Sequence, residues 1–198
     1  MPLILITMPS PNILCAIVLA AWLAIAVWFD LRQRRVPNLL VANGIVSGVA
    51  LQALAPHGAG LFEFWWGGLG VWQALLGLGA GLAMFMPLYL LRAMGAGDVK
   101  LLAMVGVWLG PQLLLSATLV TLLAGGVMAI VVMLASRSSR QVLTNVRVML
   151  TTTLVGAQTG KLAPLDAPPP GSARLPYALP IAVGALAQVM WQLTHSGQ

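Results

Sequence analysis

Four carboxylates are all the acid this 198-residue chain carries: Asp30, Glu63, Asp98 and Asp166. Other reactive groups are scarcer still, with one cysteine, Cys15, and two histidines, His57 and His195. A single cysteine excludes an internal disulfide, a cysteine-built zinc ribbon and an iron–sulfur cluster. The two histidines lie too far apart to offer metal-ligand spacing. Glu63 and Asp166, in a polar break and a proline-rich stretch, read as solvated surface charges. Asp30 and Asp98 differ, because each stands at one end of an apolar run. Two carboxyls facing each other cannot both ionise easily. One is driven to keep its proton, and the pair can then activate a water and protonate a leaving amine. That arrangement is the one aspartic proteases use, and it needs neither metal nor cofactor.

The rest of the chain says where such a pair would lie. Hydrophobic residues make up 60% of it and charged residues 7%, against roughly 25% charged in a soluble domain. Mean hydropathy is +0.94. These values exclude a water-soluble globule and a disordered chain. They also exclude a nucleic-acid binder, despite the net charge of +6 and a pI near 10.8. Spanning helices need about 20 mostly apolar residues, and the charges divide the sequence into such blocks at 12–29, 38–55, 67–91, 99–135 and 176–194. Gly110-Pro111 interrupts the fourth block, which therefore reads as two helices. The expected fold is an all-α, polytopic integral membrane protein of one domain, residues 1–198, with about six transmembrane helices.

All ten Lys and Arg fall at 30–37, 92–98 and 136–175, or within two residues of the next helix. The loops near 56–66 and 110–111 hold none. This asymmetry makes the first set cytoplasmic and puts both termini outside. No Lys or Arg precedes Arg32, so the first segment lacks the basic start of a cleaved signal and reads as a retained helix. Both histidines fall on the outer side, so no Ser or Cys near the two aspartates has a histidine to activate it. Trp65, Trp66, Trp108 and Trp191 are expected near the outer interface and Trp28 near the inner one. Residues 137–175 form a cytoplasmic loop. Within it, 141–158 reads equally well as an amphipathic helix on the membrane surface or as plain loop.

Each aspartate also has a simpler reading. Asp30 meets the negative end of its own helix dipole, a position disfavoured by up to about 1 kcal/mol. An ion pair with Arg32, Arg34 or Arg35 would account for it. Asp98 follows a glycine turn and precedes a helix, where Asp is a good N-cap. The helix it opens is short, roughly 16 Å from Val99 to Leu109, so either it bends past Pro111 or it starts below the membrane surface. Two acids at similar membrane depth outweigh the separate readings, since an ionisable residue there is a functional hypothesis by default. Gly44/Gly48, Gly77/Gly81 and Gly106/Gly110 have the small-residue spacing of closely packed helices, read as packing within the chain.

Three motifs now stand in order. Asp30-Leu-Arg32-Gln-Arg-Arg-Val-Pro37-Asn38 comes first, then Gly95-Ala-Gly97-Asp98-Val-Lys100, then Pro176-Tyr177-Ala-Leu-Pro. Together they resemble the type IV prepilin peptidases. The likeness is strongest to the peptidase-only branch of tight-adherence (Flp) pili, TadV/CpaA-like. The resemblance implies a membrane-embedded aspartic endopeptidase with Asp30 and Asp98 catalytic and no cofactor or metal. It implies cleavage of a prepilin's short basic leader, after a glycine, at the cytoplasmic face of the inner membrane. Its partners would be the prepilin or pseudopilin N-terminal segment and the lipid bilayer, with no nucleic acid. Larger members add a cytoplasmic domain with paired cysteines and N-methyltransferase activity. Neither that domain nor those cysteines is present here, so cleavage without methylation is expected. Gly95 and Gly97 are expected to let substrate backbone or the opposite helix approach Asp98. Lys100 is expected beside Asp98, tuning the pair or, with slight preference, contacting lipid phosphate. Arg32, Arg34 and Arg35 are expected to set topology, and Pro37-Asn38 to start the second helix. The competing reading is a small proton-coupled transporter or a non-catalytic pilus-assembly subunit. A transporter usually carries matched internal repeats, and none is clear here.

Overall fold

A computed structural model describes residues 11–54, 70–91, 94–135 and 176–195. Five helices follow in order: α1 (Pro11–Gln33), α2 (Asn38–Leu54), α3 (Gly70–Leu90), α4 (Ala96–Ala135) and α5 (Ala178–His195). The protein is an all-α membrane protein. Helices α1, α3 and α4 are long and apolar enough to cross a bilayer, and α2 and α5 are shorter apolar helices. Ile17, Val46, Trp72, Leu123, Val127 and Ile130 all lie exposed on the surface, as suits a chain solvated by lipid tails rather than water.

Helix α4 has 40 residues, about 60 Å if straight, roughly twice the hydrocarbon thickness. It is not straight. Gly110 breaks it with φ 73° and ψ 170°, a conformation essentially confined to glycine. Pro111 then restarts the helix where a missing N–H costs little. Leu114 Cδ2 lies 3.0 Å from the point where a Cβ on Gly106 would stand. Along a straight helix residues eight apart would be separated by about 12 Å. The chain therefore doubles back, and the two helices expected from Gly110-Pro111 are the halves of α4, 96–109 and 111–135.

The first half is the centre of the molecule, with every residue from 101 to 110 buried. Helix α2 runs parallel to it, Gly44 against Met104 and Gly48 against Val107 and Trp108. Helix α3 runs antiparallel, Gly77 on the backbone of Gly106 and Gly81 on that of Ala103. The small-residue pairs thus serve packing within the chain. The second half of α4 pairs antiparallel with α5, where Gly184 faces Ala117 and Thr121 and Ser116 Oγ donates to Gln188 Oε1 at 2.9 Å. Helix α1 packs mainly on α5.

One aromatic expectation is corrected. Trp108 is 1% exposed, and its Nε1 donates to the Gly44 carbonyl at 3.0 Å. It is a core residue, held where the glycines of α2 leave room for an indole, and does not belong to an interfacial belt. Trp28 and Trp191 are exposed. The expected outer loop with His57, Glu63, Trp65 and Trp66 lies outside the described residues, as do Asp166, the 137–175 loop and the alternatives for 141–158.

Candidate active site

The buried face of α1 carries Leu19, Leu23, Ala26 and Asp30, spaced four, three and four as one helical stripe requires. Asp30 continues the core stripe into the end of the helix and is only 6% exposed. The helix closes just beyond it. Arg34 takes the left-handed conformation, φ 52°, and its N–H donates to the Asp30 carbonyl at 2.8 Å, which is the αL type of C-cap. Arg34 also acts on the Asp30 carboxylate through its charge. Arg32 turns away and stacks over the Trp28 ring, 4.4 Å from its centroid. The buried carboxylate Oδ2 accepts the N–H of Ala178 at 3.1 Å. Ala178 is the first residue of α5, where helical amides lack partners of their own. A carboxylate at the unfavourable end of its own helix dipole therefore lies at the favourable end of another.

Asp98 enters from α4. That helix starts at Ala96, ahead of the expected Val99. The Gly95 carbonyl accepts the N–H of Asp98 at 3.2 Å and of Val99 at 3.5 Å. Gly95 is thus the cap and Asp98 the third helical residue, which corrects the N-cap reading of Asp98. Its Oδ2 instead reaches back to accept the Gly95 N–H at 3.2 Å, the returning half of a capping box. Asp98 is partly exposed, and the charge of Asp30 acts on it. Asp98 in turn acts on the half-buried phenol of Tyr177. Among the described residues no group of three or more His, Cys, Asp or Glu converges. Among the described residues, the reactive groups at this end of the bundle are thus a pair of carboxyls with one phenol beside it.

The family model of the type IV leader peptidases matches residues 17–130. This chain belongs to the type IV leader peptidase family. No curated protein and no solved structure matches it. The protein is therefore a membrane peptidase, and the matched stretch contains both Asp30 and Asp98. Helix α5 lies beyond that stretch, yet it supplies the Ala178 donor, and the turn that leads into it supplies Tyr177.

The remaining residues of the peptidase motifs hold the two aspartate segments together. Pro37 opens α2, its carbonyl accepting the Val41 N–H at 3.3 Å, as expected of the Pro37-Asn38 step. Lys100 Nζ donates to Asn38 Oδ1 at 3.1 Å. The ammonium ties the start of α4 to the start of α2. Gly97 faces Val36 from the segment after Asp30, and a Cβ on it would stand 3.7 Å from Val36 Cβ. That is ordinary van der Waals spacing, so packing alone does not require glycine there. On the other flank, Gly125 of α4 lies against the Tyr177 ring. Residues 126–135 continue that helix for roughly 15 Å past the level of the tyrosine.

Sequence reasoning found both aspartates but missed three partners. The Ala178 N–H is a backbone donor with no side-chain signature. The Lys100–Asn38 pair joins two motifs already singled out, and only their common function could have suggested the contact. Tyr177 stands within the third motif, where nothing in the sequence assigns it a role.

Proposed function

We propose that this peptidase is an aspartic endopeptidase that removes the short basic leader from a prepilin or pseudopilin. The reaction would take place at the cytoplasmic face of the bacterial inner membrane. One observation carries the reading: the end of α1 and the start of α4 bring Asp30 and Asp98 to one end of the bundle, close enough that the charge of Asp30 acts on Asp98. With one proton between them, the ionised carboxyl takes a proton from water as the water oxygen bonds to the scissile carbonyl carbon. The other carboxyl gives its proton to the amide nitrogen as the C–N bond breaks. The shared proton belongs to the pair, not to either residue.

Two further features support the setting. The described basic residues Arg32, Arg34, Arg35 and Lys100 lie at that end of the helices, and the positive-inside rule makes it the cytoplasmic end. Helix α4 runs on past the level of Tyr177, so the site sits below the end of a spanning helix. A bond at the junction of a basic leader and an apolar pilin helix would lie at that depth. Cleavage without methylation, and membership of the tight-adherence branch on the strength of the three motifs, are part of the same proposal.

The test is cleavage of a candidate prepilin in membranes by wild type, Asp30→Asn and Asp98→Asn at matched protein levels. Asn keeps the size and the acceptor oxygen but cannot ionise. Loss of cleavage in each variant is the expected result. Normal cleavage by either one would reduce that aspartate to a helix cap and overturn the mechanism. A non-catalytic assembly subunit would tolerate both changes.

A further inference from the structure

We propose that Tyr177 is a third substrate-contacting residue of this peptidase, its hydroxyl donating a hydrogen bond to a carbonyl oxygen of the peptide held over Asp98. The proposal rests on the reading of Asp30 and Asp98 as the reacting pair.

The backbone of Tyr177 is fixed by its neighbour. Ala178 gives its N–H to the Asp30 carboxylate at 3.1 Å, and the Tyr177 carbonyl accepts the Ile181 N–H at 3.2 Å. The residue is thus one peptide unit from Asp30. Its ring is placed by α4. Cε1 lies 3.2 Å from the point where a Cβ on Gly125 would stand, so only glycine leaves the ring its present seat. From that seat the phenol feels the charge of Asp98. Tyr177 is therefore next in sequence to the amide that the Asp30 carboxylate accepts, and its ring lies within reach of the charge of Asp98.

The hydroxyl has no hydrogen-bond partner among the described residues, although the ring is half-buried. Tyrosine hydroxyls in such settings usually find a partner. A peptide crossing between Asp98 and α5 would bring one, because its carbonyl oxygens are acceptors and a phenol is a good donor. Gly95 and Gly97 carry no side chain, Gly97 has no close contact that demands glycine, and neither has positive φ. A donor aimed at the reacting carbonyl is stronger in the transition state, where negative charge develops on that oxygen.

The experiment compares Tyr177→Phe with wild type, using full-length protein in membranes and a prepilin substrate, with kcat, KM and the pH profile measured. Phe keeps the ring against Gly125 and removes only the hydroxyl. The expected result is a fall in kcat of about 10- to 100-fold, with KM little changed and the pH profile in place. A wild-type rate would overturn the proposal and leave the ring as packing. A slower enzyme with a displaced pH profile would also overturn it, since the hydroxyl would then act on Asp98 rather than on substrate. If Tyr177→Phe does not accumulate, Gly125→Ala decides. Its methyl must push the ring by a few tenths of an ångström, and an unchanged kcat in a folded variant would be fatal to the idea. Asp30→Asn and Asp98→Asn run in parallel. Cleavage by either of those fails the dyad reading itself, an outcome distinct from failure of the tyrosine.

Discussion

At Asp30 two demands meet in one carboxyl, and substitutions can separate them. The side chain caps α5 through the Ala178 N–H and shares a site with the charge of Asp98. Asp30→Asn keeps an acceptor for Ala178 and removes the repulsion, so its thermal midpoint in detergent should equal or exceed that of wild type while cleavage is lost. Asp30→Ala removes the acceptor as well and leaves a buried N–H unpaired, which costs about 1–3 kcal/mol. It should melt below the Asn variant, and equal midpoints would mean that the Ala178 contact contributes nothing. Lys100 offers a second test. Its bond to Asn38 is exposed, so Lys100→Met should change stability by less than about 1 kcal/mol. Its value is positional, because it joins the segments that follow Asp30 and contain Asp98. Lys100→Met and Asn38→Ala should each lower kcat/KM about fivefold, near 1 kcal/mol, and the double variant should be no worse than either single one. Additive losses would show that the two residues act separately.

The helices are held by glycines that differ sharply in what surrounds them. On α3, a Cβ at Gly77 would collide with the Gly106 carbonyl, and one at Gly81 would stand 2.7 Å from Ala103 Cα. Gly79, between them, has nothing within 4 Å. Backbone cannot move aside as a flexible side chain can. Gly77→Ala should therefore destabilise the protein by more than about 2 kcal/mol through overpacking, displacing the central half of α4 and with it Asp98. Gly79→Ala should lie within about 1 kcal/mol of wild type, with a gain in helix propensity as the only expected effect. Thermal unfolding of both variants in the same detergent decides the matter, and equal behaviour would mean that α3 does not approach α4 this closely. Gly110 is a different case, since its φ of 73° is a conformational requirement. An Ala there would resist the reversal that turns one apolar run into two antiparallel helices.

For the whole molecule, the sequence was most readable where chemistry was rare. With four acids in 198 residues, Asp30 and Asp98 stood out, and Gly110-Pro111 marked the reversal of α4 because both residues break helices. What stayed hidden was long-range pairing. Ala178 is 148 residues from Asp30 and contributes only a backbone N–H. Trp108 looked interfacial because indoles favour that layer, but tertiary packing against Gly44 overrode the preference. Orientation is the remaining property that composition alone supports. The starts of α2, α4 and α5 meet the end of α1, through Lys100–Asn38 and Ala178–Asp30, and the described basic residues Arg32, Arg34, Arg35 and Lys100 all lie at that end. If the positive-inside rule holds, a cysteine at position 35 faces the cytoplasm and one at position 57 faces outward. In a Cys15→Ser background, Arg35→Cys should react with a membrane-impermeant maleimide only after permeabilisation, and His57→Cys should react in intact cells. The reverse pattern would put Asp30 and Asp98 on the outer face. A leader kept in the cytoplasm could not reach them there, so the prepilin assignment would fail even with the aspartate pair intact.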